Sequence, residues 1–313
     1  MNPQVLADQI KAGNRRAIAR GLTLVESLLP DHEKLSLELF RCLGSAPRAY
    51  RLGVTGPPGA GKSTLIERIA LAWLQGDERV AILTIDPSSQ RTGGSLLGDK
   101  TRMGQIADLP EVFIRPSPTG DHLGGLGRRT PLMCALLERA GFKRIIVETV
   151  GVGQSEISAS YLVDRLLLVA LPGAGDEVQG LKRGLMEEID LVAVNKCDLG
   201  QAKATVAVLR SALRVFRREV PVIEISALEG SGLERLMEAI EEPLSSGAYE
   251  RTRGELHFFE EFFVESIKRL LLADGTRWSE LRKKVASGEV DFLQVLPEVC
   301  GHLEQLAEDL KHP

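Results

Sequence analysis

The sequence predicts a doubly wound α/β core with a mostly parallel sheet and helical extensions at both ends. Three observations carry this. Short, almost continuously apolar runs alternate with helical stretches between Tyr50 and Ile240, the pattern of strands buried on both faces and covered by helices. A glycine loop, Gly56 to Ser63, stands between the first such run and a helical segment. Beyond Glu255 the strand pattern stops, and Phe258, Phe259, Phe262, Phe263, Ile267, Leu270 and Leu271 recur at spacings of three and four.

Element by element, Ile10, Ala17, Ile18, Leu35 and Leu39 repeat at helical spacing before residue 43, and Pro30 precedes a segment that Asp31 can cap. Two or three helices are expected there. The break Ala46-Pro47-Arg48 leads into the first strand, Tyr50 to Thr55. Further strands are expected at Val80 to Ile85, Val112 to Ile114, Ile145 to Thr149, Leu166 to Leu171, Leu191 to Asn195 and Val222 to Ile225. The helices between them fall at Lys62 to Gln75, Thr130 to Ala140, Gln179 to Ile189, Ala202 to Phe216 and Leu233 to Ile240. Trp278, Leu281 and Val285 continue the helical tail. The expected divisions are a helical extension at 1–46, a phosphate-binding core at 47–248 and a C-terminal helical segment at 249–313.

Composition excludes several functions. With 39 Lys plus Arg against 43 Asp plus Glu, the net charge of -4 supplies no cationic surface for a nucleic-acid backbone. Aromatics are 4% of the chain, too few for a base-stacking platform. The four cysteines, Cys42, Cys134, Cys197 and Cys300, form no CxxC pair, so reduced thiols are expected rather than disulfides or a zinc site. No run approaches the roughly 18 to 20 apolar residues of a membrane span, and the N-terminus lacks a secretory pattern. A cytoplasmic protein is the expectation.

Gly56, Pro57, Pro58, Gly59, Ala60, Gly61, Lys62 and Ser63 fit G-x-x-x-x-G-K-[ST], with Thr64 following in the helix. Glycines let backbone N–H groups turn inward around phosphates, the helix N-terminus adds partial positive charge, and Lys62 reaches the β and γ phosphates. Ser63 then offers a hydroxyl to Mg²⁺. The alternative, a glycine-rich turn capped by Ser63, does not explain the lysine. At the end of a later strand, Asn195, Lys196 and Asp198 form N-K-x-D. A carboxylate there accepts from both N1–H and the 2-amino group of guanine, whereas adenine offers only a lone pair at N1. Ser226, Ala227 and Leu228, after the next strand, supply further backbone contacts to a base. GTP or GDP with Mg²⁺ is therefore the expected ligand.

Asp86, Asp99 and Glu148 stand at expected strand ends or in loops on the phosphate side, suited to a hard cation that keeps several waters. Gly151 permits close backbone approach to a γ-phosphate, making Val150 to Glu156 a switch, with Gln154 the water-orienting candidate by position. Gly173, Asp176, Glu177, Gln179 and Lys182 form a glycine-rich, charged loop suited to answering nucleotide state or meeting a partner. The five histidines form no HxH or HExxH set; His122, among glycines, is the one with a conceivable site role.

The strings Asp86-Pro87-Ser88-Ser89, Thr92 to Met103, Arg115-Pro116-Ser117-Pro118 and Glu148 to Glu156, together with the loop at Gly173 to Gly184, resemble the MeaB/ArgK-type G proteins. The resemblance runs from the N-terminal helices to about residue 245. It implies a P-loop GTPase core with flanking helices, homodimerisation, and service as a chaperone of an adenosylcobalamin-dependent acyl-CoA mutase of the methylmalonyl-CoA type; the C-terminal helical segment itself reads as a packed cap or a dimerisation arm. It also matches Ser63, Asp86, Asp99 and Glu148 to magnesium and switch positions, and the Gly173 to Gly184 loop to mutase coupling. Gly120-Asp121-His122 departs from the small residues expected there and leaves the particular mutase open. Two other functions compete. A kinase tied to arginine or ornithine transport would prefer ATP and need no N-K-x-D. A metal-insertion GTPase would want a clustered Cys/His set that this sequence lacks.

Overall fold

The computed structural model describes residues 1–27, 29–86, 103–118, 129–149, 159–173, 183–215, 219–243, 254, 256–258, 260, 264, 276–287 and 289–290. The chain forms two compact units, Met1–Leu256 and His257–Pro313.

Seven parallel strands make the sheet of the first unit: β1 (Tyr50–Thr55), β2 (Val80–Asp86), β3 (Val112–Pro118), β4 (Arg144–Thr149), β5 (Arg165–Ala170), β6 (Leu191–Val194) and β7 (Val222–Glu224). Their order is β3-β2-β4-β1-β5-β6-β7. The chain winds one way from β1 to β3 and, after β4, crosses to build β5 to β7. A crevice consequently opens beyond the carboxyl end of β1, where ligands of doubly wound sheets sit. Val54 of β1 and Thr84 of β2 both lie level with Glu148 of β4, which places that carboxylate between them at this end.

On one face, α4 (Lys62–Leu74) and α8 (Leu233–Glu241) bury Leu65, Ile66, Ile69, Leu236 and Ile240 against Leu52, Val54, Ile82, Leu167 and Val169. On the other, α5 (Thr130–Arg139) offers Glu138, whose carboxylate holds the buried Arg51 of β1 at 2.8 Å. The remaining core helices are α6 (Arg183–Glu188) and α7 (Ala202–Val215). At the amino end of the sheet, the Arg144 guanidinium lies over the rings of Tyr50 and Trp73 and bonds Glu78 and Glu241. Burial, helped by nearby carboxylates, pushes the Tyr50 pKa up, so its hydroxyl stays a donor to Ile240 O at 2.9 Å.

Three helices precede the sheet: α1 (Pro3–Lys11), α2 (Arg15–Glu26) and α3 (Pro30–Leu43). Asn2 and Asn14 cap the first two by accepting backbone N–H bonds. Asp31 is not the cap of α3. That helix starts on Pro30, whose set φ and missing N–H suit a first position, with Leu29 at the cap and Asp31 inside the first turn. Arg15 and Glu26, at opposite ends of α2, bond opposite ends of β3: Arg15 donates to Val112 O at 2.6 Å, and Glu26 accepts from Arg115 and Ser117.

Strand β3 runs four residues past the expected Ile114. Prolines 116 and 118 are tolerated because β3 is an edge strand, where a missing ladder donor costs little. Helix α6 begins at Arg183, and residues 179–182 of the expected helix lie outside the described residues. In the second unit, α9 (Arg277–Ala286) is capped by Thr276 Oγ1 and contains the expected Trp278, Leu281 and Val285. Among the described residues no helix is long and apolar enough to cross a membrane.

Candidate functional site

The loop from Gly56 to Gly61 joins β1 to α4 at the centre of the sheet. Two glycines are obligatory. A Cβ on Gly56 would collide with the Val169 carbonyl oxygen, and one on Gly61 would stand 2.5 Å from Asn195 Nδ2; both residues also have positive φ. Gly61 is the N-cap of α4 and offers no side-chain cap, and the N–H groups of the helix's first turn point back toward the loop. Lys62 is buried and reaches back across the loop, its Nζ donating to Gly56 O at 2.8 Å and Pro57 O at 3.2 Å. The N-terminus of a helix beside a buried ammonium fits an anion and would repel a cation.

Asn195 follows β6, buried to 2% exposure, and joins two loops. Its Nδ2 donates to Ala60 O at 2.8 Å, and its Oδ1 accepts from Ala227 N at 2.9 Å. The phosphate-type loop and the segment after β7 are thereby held in one site across the carboxyl ends of β1, β5, β6 and β7. Lys196 adopts positive φ, and Asp198 sits exposed in a single 3₁₀ turn, Cys197–Leu199. Ser226 is fully buried and Ala227 nearly so, while the Leu228 side chain is exposed. This loop is braced internally, with Ser226 N donating to Ser231 O and Gly230 N to Ser226 O.

Three residues of a type suited to a hard cation stand at the same end of the sheet. Ser63 lies in the first turn of α4, Asp86 ends β2, and Glu148 stands one residue before the end of β4. Among the described residues no group of three His, Cys, Asp or Glu gathers to hold a metal by itself. That donor set, one hydroxyl with scattered carboxylates, fits a magnesium ion completed by phosphate oxygens and water rather than a protein cage. Two buried hydroxyls at these strand ends, Thr55 Oγ1 and Thr149 Oγ1, have no hydrogen-bond partner among the described residues.

Gly173, exposed with positive φ, ends the described part of its loop, and its N–H is held by Thr205 Oγ1 at 2.9 Å. Asp99, Gly151, Gln154, Asp176, Glu177, Gln179, Lys182 and His122 lie outside the described residues.

Sequence reading singles out neither of two residues on α4 that serve this site. Glu67 Oε1 accepts from Gln105 N at 2.8 Å, and Arg68 donates to Ala227 O and Leu228 O, each at 3.0 Å. They stand five and six positions after Lys62 with no motif to mark them.

Comparison with known proteins adds the following. The model of a family described as methylmalonyl Co-A mutase-associated GTPase MeaB matches residues 18–255. A probable GTPase of Mycobacterium tuberculosis is 46% identical over 245 residues, covering 75% of this chain and 73% of its own. The GTPase ArgK of Escherichia coli is 43% identical over 253 residues, covering 77% and 76%. A mitochondrial methylmalonic aciduria type A homolog of Mus musculus is 39% identical over 268 residues, covering 78% and 65%. Among solved structures, a LAO/AO transport system kinase superposes with a TM-score of 0.72 at 27% identity, covering 97% of this chain and 99% of that one.

Proposed function

The chain belongs to the family of methylmalonyl-CoA mutase-associated GTPases of the MeaB type, and from that premise we propose that its GTP hydrolysis gates cofactor loading, protection or reactivation of an adenosylcobalamin-dependent acyl-CoA mutase. Guanine-nucleotide binding and GTP hydrolysis follow from the family itself. The observation that carries the residue roles is the Asn195 carboxamide, which ties the phosphate-type loop to the base-type loop. In this reading backbone N–H groups of the glycine loop and of the first turn of α4, up to Thr64, hold the phosphates together with the Lys62 ammonium, the two prolines of Gly56 to Ser63 supplying none. Asp198 reads the guanine edge, beside Lys196 and the Ser226 to Leu228 backbone.

Ser63, with Asp86, Asp99 and Glu148 directly or through water, would hold magnesium, which when bound neutralises charge on the β and γ phosphates. Lys62 adds a cation on the same side, and Gly151 and Gln154 orient the γ-phosphate and the attacking water. Catalysis of this kind is positioning and charge stabilisation, so slow turnover is expected until a partner completes the site. The loop from Gly173 to Lys182 carries nucleotide state to the mutase. Residues 1–46 and 249–313 flank the GTPase core at 47–248, the latter serving as a homodimerisation arm, and the protein works in the cytoplasm.

The test is GTP hydrolysis with and without an adenosylcobalamin-dependent methylmalonyl-CoA mutase, with ATP in parallel. Stimulated GTP turnover with inert ATP is expected; turnover that ignores the mutase removes the chaperone role, and efficient ATP use would favour the kinase reading. A second expectation concerns the base. Asp198→Asn keeps one acceptor oxygen and removes one charge-assisted bond of about 1.5–3 kcal/mol, so the preference for GTP over ATP should fall by roughly 10 to 100-fold in competition binding. An unchanged preference would move base recognition elsewhere.

A further inference from the structure

We propose that Arg68 is a positioning residue for guanine recognition, acting from the phosphate-loop helix through the backbone of the base loop. The proposal rests on the guanine-site reading above and says how that site tells a 6-oxo purine from a 6-amino one.

The Arg68 guanidinium grips two successive carbonyls, Nε on Ala227 O and Nη2 on Leu228 O, both at 3.0 Å. A trans peptide holds its N–H opposite its C=O. Drawing the Ala227 carbonyl toward Arg68 therefore turns the Leu228 N–H to the other side of the loop. The neighbouring donors are already committed: Ser226 N to Ser231 O, Ala227 N to Asn195 Oδ1, Glu229 N to Ser226 Oγ and Gly230 N to Ser226 O. Among the described residues the Leu228 N–H has no acceptor. It is the one donor this turn has left to offer a ligand. Guanine presents an acceptor at position 6, whereas adenine presents an amino donor, which an N–H repels.

Arg68 suits the task because a planar fork holds two carbonyls at once and sets the peptide plane between them. It stands six residues after Lys62, on the helix whose first turn faces the phosphates. At 1.5 Å per residue the guanidinium springs from a point about 9 Å along that helix. A rigid rod thus spaces the base loop from the phosphate loop. The Asn195 carboxamide is a second strut between the same loops from the sheet side, which is why Arg68 tunes base selectivity rather than holding the site together.

Arg68→Met and Arg68→Lys test this by competition against labelled GDP, using GTP, ITP and 2-aminopurine riboside triphosphate. ITP keeps the 6-oxo group and lacks the 2-amino group; the 2-aminopurine nucleotide is the reverse. Arg68→Met is expected to lose roughly tenfold in affinity for GTP and for ITP, and nothing for the 2-aminopurine nucleotide. Arg68→Lys, able to answer one carbonyl, should fall between Arg68→Met and the parent. An equal loss for all three nucleotides, or none for GTP, overturns the positioning role while leaving the guanine site intact. A parent protein that binds ATP as tightly as GTP overturns the guanine reading itself, and this proposal with it.

Discussion

Lys62→Ala is expected to lose GTP binding and turnover while keeping the fold. Lys62 is buried to 8% exposure and its ammonium crosses the loop to the Gly56 and Pro57 carbonyls, so it is already held beside the loop that begins α4. Bonds from a charged donor contribute about 1.5–3 kcal/mol each, and a phosphate chain would take at least two from this lysine. Affinity should therefore fall at least about 100-fold, beyond detection in an assay set for micromolar binding. Lys62 is buried and so is its bond to the Gly56 carbonyl, so its removal leaves one buried acceptor unanswered at about 1–3 kcal/mol. Thermal melting of the ligand-free variant should fall by a few degrees while remaining a single cooperative transition. Tight GTP binding by Lys62→Ala would remove the phosphate role of the loop altogether. Lys62→Arg is the sharper control, since a planar fork does not match the compact point charge enclosed at this position and should not restore binding.

The contrast between Lys62 and Arg68 shows what a sequence displays and what it hides. Gly56 to Ser63 and Asn195 to Asp198 are legible because each is a contiguous run whose spacing alone marks it. The strands were legible for a similar reason: burial on both faces leaves almost nothing polar between Arg165 and Ala170. Arg68 reaches partners 159 and 160 residues away, and no local pattern records that its guanidinium will find two carbonyls. The bond from Gln105 N to Glu67 is equally silent, although it ties the segment just after Asp99 to the phosphate-loop helix. Asp31 failed as a cap for a local reason, because a proline before it is the better helix opener. The apolar run marks β3 only from Val112 to Ile114, and its extension through Pro116 and Pro118 fits a strand only because the sheet order puts it at an edge. Position in the sheet, not propensity, decides such cases.

Asn195 is where stability and recognition meet, and its two substitutions should behave differently. Asn195→Ala leaves the Ala60 carbonyl and the Ala227 N–H without their partner in a buried setting, at about 1–3 kcal/mol each. The melting temperature should fall by roughly 5–10 °C, and nucleotide affinity should fall further because the two loops lose their strut. Asn195→Asp keeps the acceptor for Ala227 N but sets a carboxylate oxygen against the Ala60 carbonyl, where an N–H donor stood at 2.8 Å. Burial and the facing carbonyl both favour the protonated acid, so its folded pKa lies above the unfolded value of about 3.9. The folded state then binds more protons than the unfolded state above that pH, and stability falls as pH rises through the window. At pH 5 the protonated acid donates to Ala60 O as the amide did, and the variant should melt close to the parent. At pH 8 it should melt well below it, while the parent shows no such divergence. Equal deficits at pH 5 and pH 8 would mean that the Asn195 to Ala60 bond contributes little, and that the two loops are held together by Arg68 and the sheet instead.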